Sequence, residues 1–179
     1  MFNRSTWMIL LVATLAAALG GWLQHRSHLA HVPAGVTVAE VGSIAPDVPL
    51  SDLDGRAHRL AEYRGHRVLL NFWASWCGPC LDEMPALDRA ARAHPKATVL
   101  GIAMDEPARV RAFLATHAVN YPVLLGRLDS PSTSLQLGDT AEVLPYSALL
   151  DADGRLLATH RGPLDAATLD RWLSGGPVD

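Results

Sequence analysis

Apolar positions in this chain fall into short runs separated by polar, glycine-bearing turns, and the densest run is Val68-Leu69-Leu70-Asn71-Phe72-Trp73. A run of this length without alternation predicts a central strand buried on both faces. The period then changes: Met84, Leu87, Ala90 and Ala91 recur at helical spacing, so a buried strand passes into a helix with one apolar side. Pro85 lies inside that helix and predicts a bend, because it removes an interior hydrogen bond. Residues 97 to 104 read as a second buried strand. Upstream, residues 48 to 50 and 56 to 60 flank Asp54-Gly55, a hairpin signal. Downstream the pattern predicts a helix over 106 to 117, a short strand over 123 to 125 and a short helix over 132 to 137. A strand over 146 to 150, a turn at Asp153-Gly154, a strand over 155 to 159 and a helix over 165 to 173 complete the order. Asp151-Ala152-Asp153-Gly154 has a faint likeness to a calcium loop, but it lacks the third acidic position and the closing glutamate. A plain hairpin turn is expected there.

The N-terminus follows a different pattern. Residues 7 to 23 are apolar except for Thr14, with Arg4 before them and Gln24-His25-Arg26 after. As a helix this stretch would span about 25 Å, the short end of what crosses a bilayer. A cleaved signal peptide competes with that reading, since Ala18-Leu19-Gly20 offers the small residues a cleavage site needs. Either way the rest of the chain is exported, and Arg4 favours an inside N-terminus. The expected division is therefore an anchor or signal peptide over 1 to 24, a linker over 25 to 41, and one folded domain over 42 to 175. In the linker, His25, His28 and His31 stand at every third position. A flexible tether gives imidazoles no fixed geometry, so a solvated juxtamembrane segment is expected rather than a metal site.

Composition adds two exclusions. At 179 residues and 49% hydrophobic content, the chain can bury one proper core. Its net charge of −3 and unclustered basic residues leave no footprint for nucleic acid.

The chemistry lies at the junction of the first strand and helix. Cys77 and Cys80, the only two cysteines, bracket Gly78-Pro79. Two thiols two residues apart can form one reversible dithiol/disulfide couple. A structural metal would need a second such pair, and covalent haem would need a histidine where Leu81 stands. No metal and no cofactor are expected. At a helix start the unpaired N–H groups and the positive dipole end favour a thiolate on the first sulfur. Pro79 suits the first turn and Gly78 leaves the sulfur uncovered. On this reading Cys77 attacks and Cys80 resolves the mixed disulfide.

Residues 67 to 85, with the core Asn71-Phe72-Trp73-Ala74-Ser75-Trp76-Cys77-Gly78-Pro79-Cys80 and the following Glu83-Met84-Pro85, resemble the thioredoxin superfamily. More narrowly they resemble its TlpA/ResA/CcmG-like membrane-anchored thiol:disulfide oxidoreductases. The likeness extends from about residue 41 to 172. It implies an α/β thioredoxin-like fold, a central mixed sheet flanked by helices. An N-terminal β-hairpin, a TlpA-type helix–strand insertion and one N-terminal transmembrane helix would complete it. It also implies a cis bond before Pro145, placing that proline beside the sulfurs, where it keeps metal from bridging them. Leu144 would offer its backbone to an extended substrate, and Trp76, Gly78 and Pro79 would complete the substrate-facing rim. Tyr146 stands where relatives commonly have threonine, a departure that bears on the groove.

Thioredoxins proper have a buried aspartate six residues before the first cysteine. Here that position is Asn71, which cannot exchange protons. Glu83, one turn beyond Cys80, is the candidate acceptor for Cys80's proton. A solvated carboxylate in an early helical turn is the competing reading. Gly78-Pro79 is the intervening pair of reducing thioredoxins, so reduction of protein disulfides is expected. The resemblance implies electrons from a DsbD- or CcdA-type membrane thiol transporter and acceptors such as apocytochrome c or copper-site assembly proteins. Localisation would be the bacterial cytoplasmic membrane with the domain facing the periplasm, or a soluble periplasmic form after cleavage. A dithiol oxidase or isomerase uses the same couple in another direction. A copper-binding assembly factor would need a distant histidine, for which His160 is the late candidate. A thiol peroxidase would need a threonine setting absent around Cys77.

Overall fold

The computed structural model describes residues 8, 11–20, 32 and 35–178. The chain divides into two compact units, Met1–Val32 and Pro33–Asp179. In the first, residues 8 and 11–20 are helical and exposed. Among the described residues no helix is long and apolar enough to cross a membrane. The rest of the expected span over 7 to 23, and His25, His28 and His31, lie outside the described residues.

In the second unit seven strands form one mixed sheet in the order β2-β1-β5-β4-β3-β6-β7. The hairpin comes first, β1 (Pro49–Ser51) against β2 (Ala57–Arg59), antiparallel. Its turn is set by Asp52, whose Oδ1 accepts from the N–H groups of Asp54 (2.9 Å) and Arg56 (2.8 Å). β2 stops short of the predicted Leu60. Glu62 accepts from the Arg59 N–H and Asp47 from the Ala61 N–H, which diverts the chain into a 3-10 turn over Leu60–Tyr63.

The predicted central strand is β3 (Arg67–Trp73), parallel to β4 (Ala97–Ala103) and antiparallel to β6 (Tyr146–Leu150). β5 (Val123–Leu125) joins β4 in parallel, and β7 (Leu156–Arg161) joins β6 antiparallel. The helices are α1 (Gly78–Ala93), α2 (Pro107–Leu114), α3 (Thr133–Gln136) and α4 (Ala166–Ser174). α1 runs through Pro85 as one helix. α2 is shorter than predicted: past Leu114 the Thr116 N–H and hydroxyl both bond to the Phe113 carbonyl three residues back, a 3-10-type turn. The Asp151 segment is a turn: Asp151 Oδ1 accepts from Asp153 and Arg155, and Gly154 takes a φ of 82° that suits glycine.

Strand alternation sends β3 to two cores. Val68, Leu70 and Phe72 pack with Leu100, Ile102, Ala148 and Leu150 beneath the N-terminal hairpin and the turn after it. On the opposite face Leu69 meets Leu87 of α1 and Leu169 and Trp172 of α4. Trp73, farther along the same face, packs with Met84, Ala103, Val110 and both cysteines. The helix-bearing face therefore carries Leu69, Asn71 and Trp73 in sequence, with one polar residue between two apolar ones. That position lies beneath α1.

Candidate active site

Ser75 links the end of β3 to the start of α1, and Asp105 holds it. The Ser75 N–H (3.1 Å) and hydroxyl both donate to Asp105 Oδ2, while Oδ1 takes the Glu106 N–H at 2.8 Å. Burial opposes ionisation of Asp105, but the bonds from Ser75 and Glu106 outweigh it and hold the carboxyl below its ordinary range. One carboxylate thus ties the cysteine loop to the entry of α2.

Cys77 is the N-cap of α1 and Pro79 falls in its first turn. Cys77 and Cys80 form a disulfide, with their Cα atoms 5.3 Å apart. Cys80 is fully buried and Cys77 is 5% exposed. Around them Trp76 (66% exposed), Gly78 and Pro79 face solvent. When the couple is open, the first-turn N–H groups of α1 favour negative charge on the N-cap sulfur.

The Leu144–Pro145 peptide bond is cis. Leu144 is half-buried and packs against the cluster that holds both cysteines, while Val143 beside it is exposed. Pro145 is buried and its carbonyl accepts from the Gly162 N–H at 2.8 Å. The loop leading to it is fastened by a Ser132 hydroxyl bond to Glu142 (2.6 Å) and by buried Asp139 facing Arg161 (3.4 Å). Tyr146 does not line the groove. Its ring lies 5.7 Å from that of Phe72 and its hydroxyl donates to the Leu137 carbonyl, all on the opposite face of the sheet.

Glu83 is 4% exposed and so is not a surface carboxylate. Its Oε1 accepts from Asn71 Nδ2 at 2.8 Å and its Oε2 from the Leu164 N–H at 2.8 Å. Asn71 also donates to Ser147 Oγ at 3.1 Å. Burial raises the Glu83 pKa above 4.5, and the bonds from Leu164 and Asn71 and the nearby His160 offset that only in part. Glu83 stands three residues after Cys80 on the same helix, which brings the two onto neighbouring positions of one face. Asn71 cannot exchange protons; it holds the Glu83 carboxylate.

Sequence reasoning missed Ser147, Asp105, Asp139 and the loop bond from Ser132 to Glu142. Ser147 was legible in principle, as a polar residue inside an otherwise apolar strand. The others depend on loop paths that periodicity does not encode. Among the described residues no group of three or more histidine, cysteine, aspartate or glutamate side chains could hold a metal ion.

A couple that opens to two thiols and closes again, set on this sheet, defines a thiol-disulfide oxidoreductase of the thioredoxin type. Residues 41–159 match the AhpC/TSA family. The chain is 37% identical over 140 residues to the thiol-disulfide oxidoreductase ResA of Geobacillus thermodenitrificans, covering 76% of this chain and 78% of that one. Among solved structures it resembles a thiol:disulfide interchange protein of the thioredoxin family from Chlorobium tepidum. That match has a TM-score of 0.61 and 25% identity, over 78% of this chain and 99% of that one. It also resembles the pneumococcal exposed lipoprotein thioredoxin of Streptococcus pneumoniae, with a TM-score of 0.61 and 28% identity, over 73% and 99%. The chain belongs to the AhpC/TSA family and, within it, to the ResA-like thiol-disulfide oxidoreductases.

Proposed function

We propose that this protein is an exported reductase of protein disulfides, anchored by its N-terminal segment, with Cys77 as nucleophile, Cys80 as resolving thiol and Glu83 as the resolving step's proton acceptor. The carrying observation is the buried Glu83 carboxylate beneath Cys80, held by Asn71 and Leu164. Cys77 thiolate attacks a substrate disulfide, forming a Cys77–substrate bond and releasing the first substrate sulfur as a thiolate. Cys80 then gives its S–H proton to Glu83 and attacks the Cys77 sulfur. The Cys77–substrate bond breaks, the Cys77–Cys80 bond forms, and the second substrate sulfur leaves with its electron pair. The substrate gains two electrons and the couple loses two.

Trp76, Gly78, Pro79 and Val143 form an exposed rim around a buried pair of sulfurs, which suits an extended segment laid beside Leu144 and Pro145. Apocytochrome c cysteines or copper-site assembly proteins are the proposed acceptors, and a DsbD- or CcdA-type membrane thiol transporter the donor. An exported domain cannot draw directly on cytosolic reductant, so electrons must cross the membrane as thiols. The apolar run over residues 7 to 23 supports an anchor with the domain outside, and the pneumococcal neighbour is an exposed lipoprotein.

The test is to express full-length Cys80→Ser in the native host and extract it from membranes with detergent. The attached proteins are then identified by mass spectrometry, and the wild-type couple is equilibrated against glutathione. Reduction predicts trapped cysteine-bearing acceptors and a potential nearer about −270 mV than about −120 mV. A potential at the oxidising end would reverse the direction. Recovery in a salt wash, with a mature N-terminus near Gly21, would replace the anchor by a cleaved leader.

A further inference from the structure

The row of residues that crosses the sheet beneath Glu83 ends in a histidine. Asn71 of β3 pairs in register with Ser147 of β6, and Ser147 pairs with His160 of β7. Register partners on adjacent strands present their side chains to the same face, and for Asn71 that is the face covered by α1. The row therefore runs from the Glu83 carboxylate through Asn71 and Ser147, both fully buried, to the half-buried His160. The chain then turns back: Leu164, four residues after His160, donates its N–H to the second Glu83 oxygen. The two carboxylate oxygens are thus held by Asn71, two strands from His160 in the same row, and by Leu164, four residues after it. On its outer side His160 lines an open cavity of about 330 Å³ together with Thr168, Arg171 and Trp172.

We infer that His160 is a positioning residue of the resolving step: at the open edge of the sheet it closes the row of side chains that runs through Ser147 and Asn71 to Glu83. The inference rests on the reading of Glu83 as Cys80's proton acceptor.

The surroundings of Glu83 leave this position to His160. Cys80 lies on its own helix, Asn71 and Ser147 are neutral, and Leu164 contributes only a backbone N–H. Tyr121 reaches the site from the segment before β5, but burial and the neighbouring Asp88 and Glu83 keep its phenol protonated. Asp88, on α1, is occupied by Arg92 and Asn120. Arg171 shares the outer cavity with His160. Besides the bonds from Leu164 and Asn71, His160 is the group that lowers the Glu83 pKa against the raising effect of burial.

The test uses full-length reduced protein in detergent, with carbon-13-labelled glutamate carboxyls followed by NMR through a pH titration. Wild type is compared with His160→Gln, His160→Lys and Glu83→Gln, the last assigning the Glu83 signal. Resolution of a preformed mixed disulfide is timed across the same pH range. His160→Gln should move the Glu83 midpoint upward by about half a pH unit or more, and the acid limb of the resolving rate with it. His160→Lys places a positive charge at the same position and should move neither upward. His160→Gln, close in size to the native side chain, carries the test if the lysine variant does not fold. A Glu83 midpoint unchanged in His160→Gln would overturn the inference whatever Glu83 does. A midpoint that moves while Glu83→Gln resolves at the wild-type rate would overturn instead the reading of Glu83 on which the inference rests.

Discussion

The sign of Glu83's contribution to pH-dependent stability follows from its burial. Burial raises the pKa of its folded-state carboxyl above 4.5. Below 4.5 the carboxyl is protonated both folded and unfolded, so it costs the fold nothing. As pH rises past 4.5 and through the folded value, the folded protein must ionise a buried group that the unfolded chain ionises freely, and stability falls. Glu83→Gln removes that dependence. The melting temperature of the Gln variant relative to wild type should climb over that window in parallel unfolding scans, and a difference flat with pH would contradict the assignment. The same substitution should slow resolution of a mixed disulfide about 100-fold or more, while initial attack by Cys77 changes little. Asp105 has the opposite sign. Its carboxyl is held below 3.8 by Ser75 and Glu106, so its hold on the cysteine loop is present at neutral pH and is lost in acid.

At the scale of elements, the helix-bearing face of the sheet fits tightly beneath α1. Gly101 of β4 pairs with Asn71 in register. A Cβ there would lie 3.0 Å from a Tyr121 ring carbon and 3.2 Å from Trp73 Nε1. Gly101→Ala should therefore destabilise the fold by about 1–3 kcal/mol through forced movement of the Tyr121 ring, read as a lowered midpoint in urea. The elements themselves were legible from the chain. Continuous apolar runs marked β3, β4 and β6, and the change to helical period after Cys80 marked α1. Ends were less legible, because local side-chain bonds decide them. Glu62 and Asp47 cut β2 short, and the bonds from Thr116 to Phe113, three residues back, mark the tightened turn that ends α2 early. Within the site, the two cysteines, Glu83 and Pro145 stood out because motif spacing encodes them. Ser147 and His160 did not, since their relation to Glu83 exists only once β6 and β7 are laid beside β3.

At the scale of the whole molecule, one sheet brings four separated stretches of sequence to a single edge of α1. These are the cysteine loop, the Asp105 segment, the loop ending in Leu144-Pro145 and the turn reaching Leu164. On the proposed function these stretches present Cys77 to a partner while Cys80 and Glu83 stay covered. Trp76 is 66% exposed beside cysteine residues that are 5% and 0% exposed. The most direct measurement is competitive alkylation of the reduced full-length protein at neutral pH, with the modified cysteine read by mass spectrometry, alongside disulfide reduction by Cys77→Ser and Cys80→Ser. Cys77 should be modified first, Cys77→Ser should be inactive, and Cys80→Ser should attack once and accumulate a mixed disulfide. Faster alkylation of Cys80 than of Cys77 would contradict that assignment of roles.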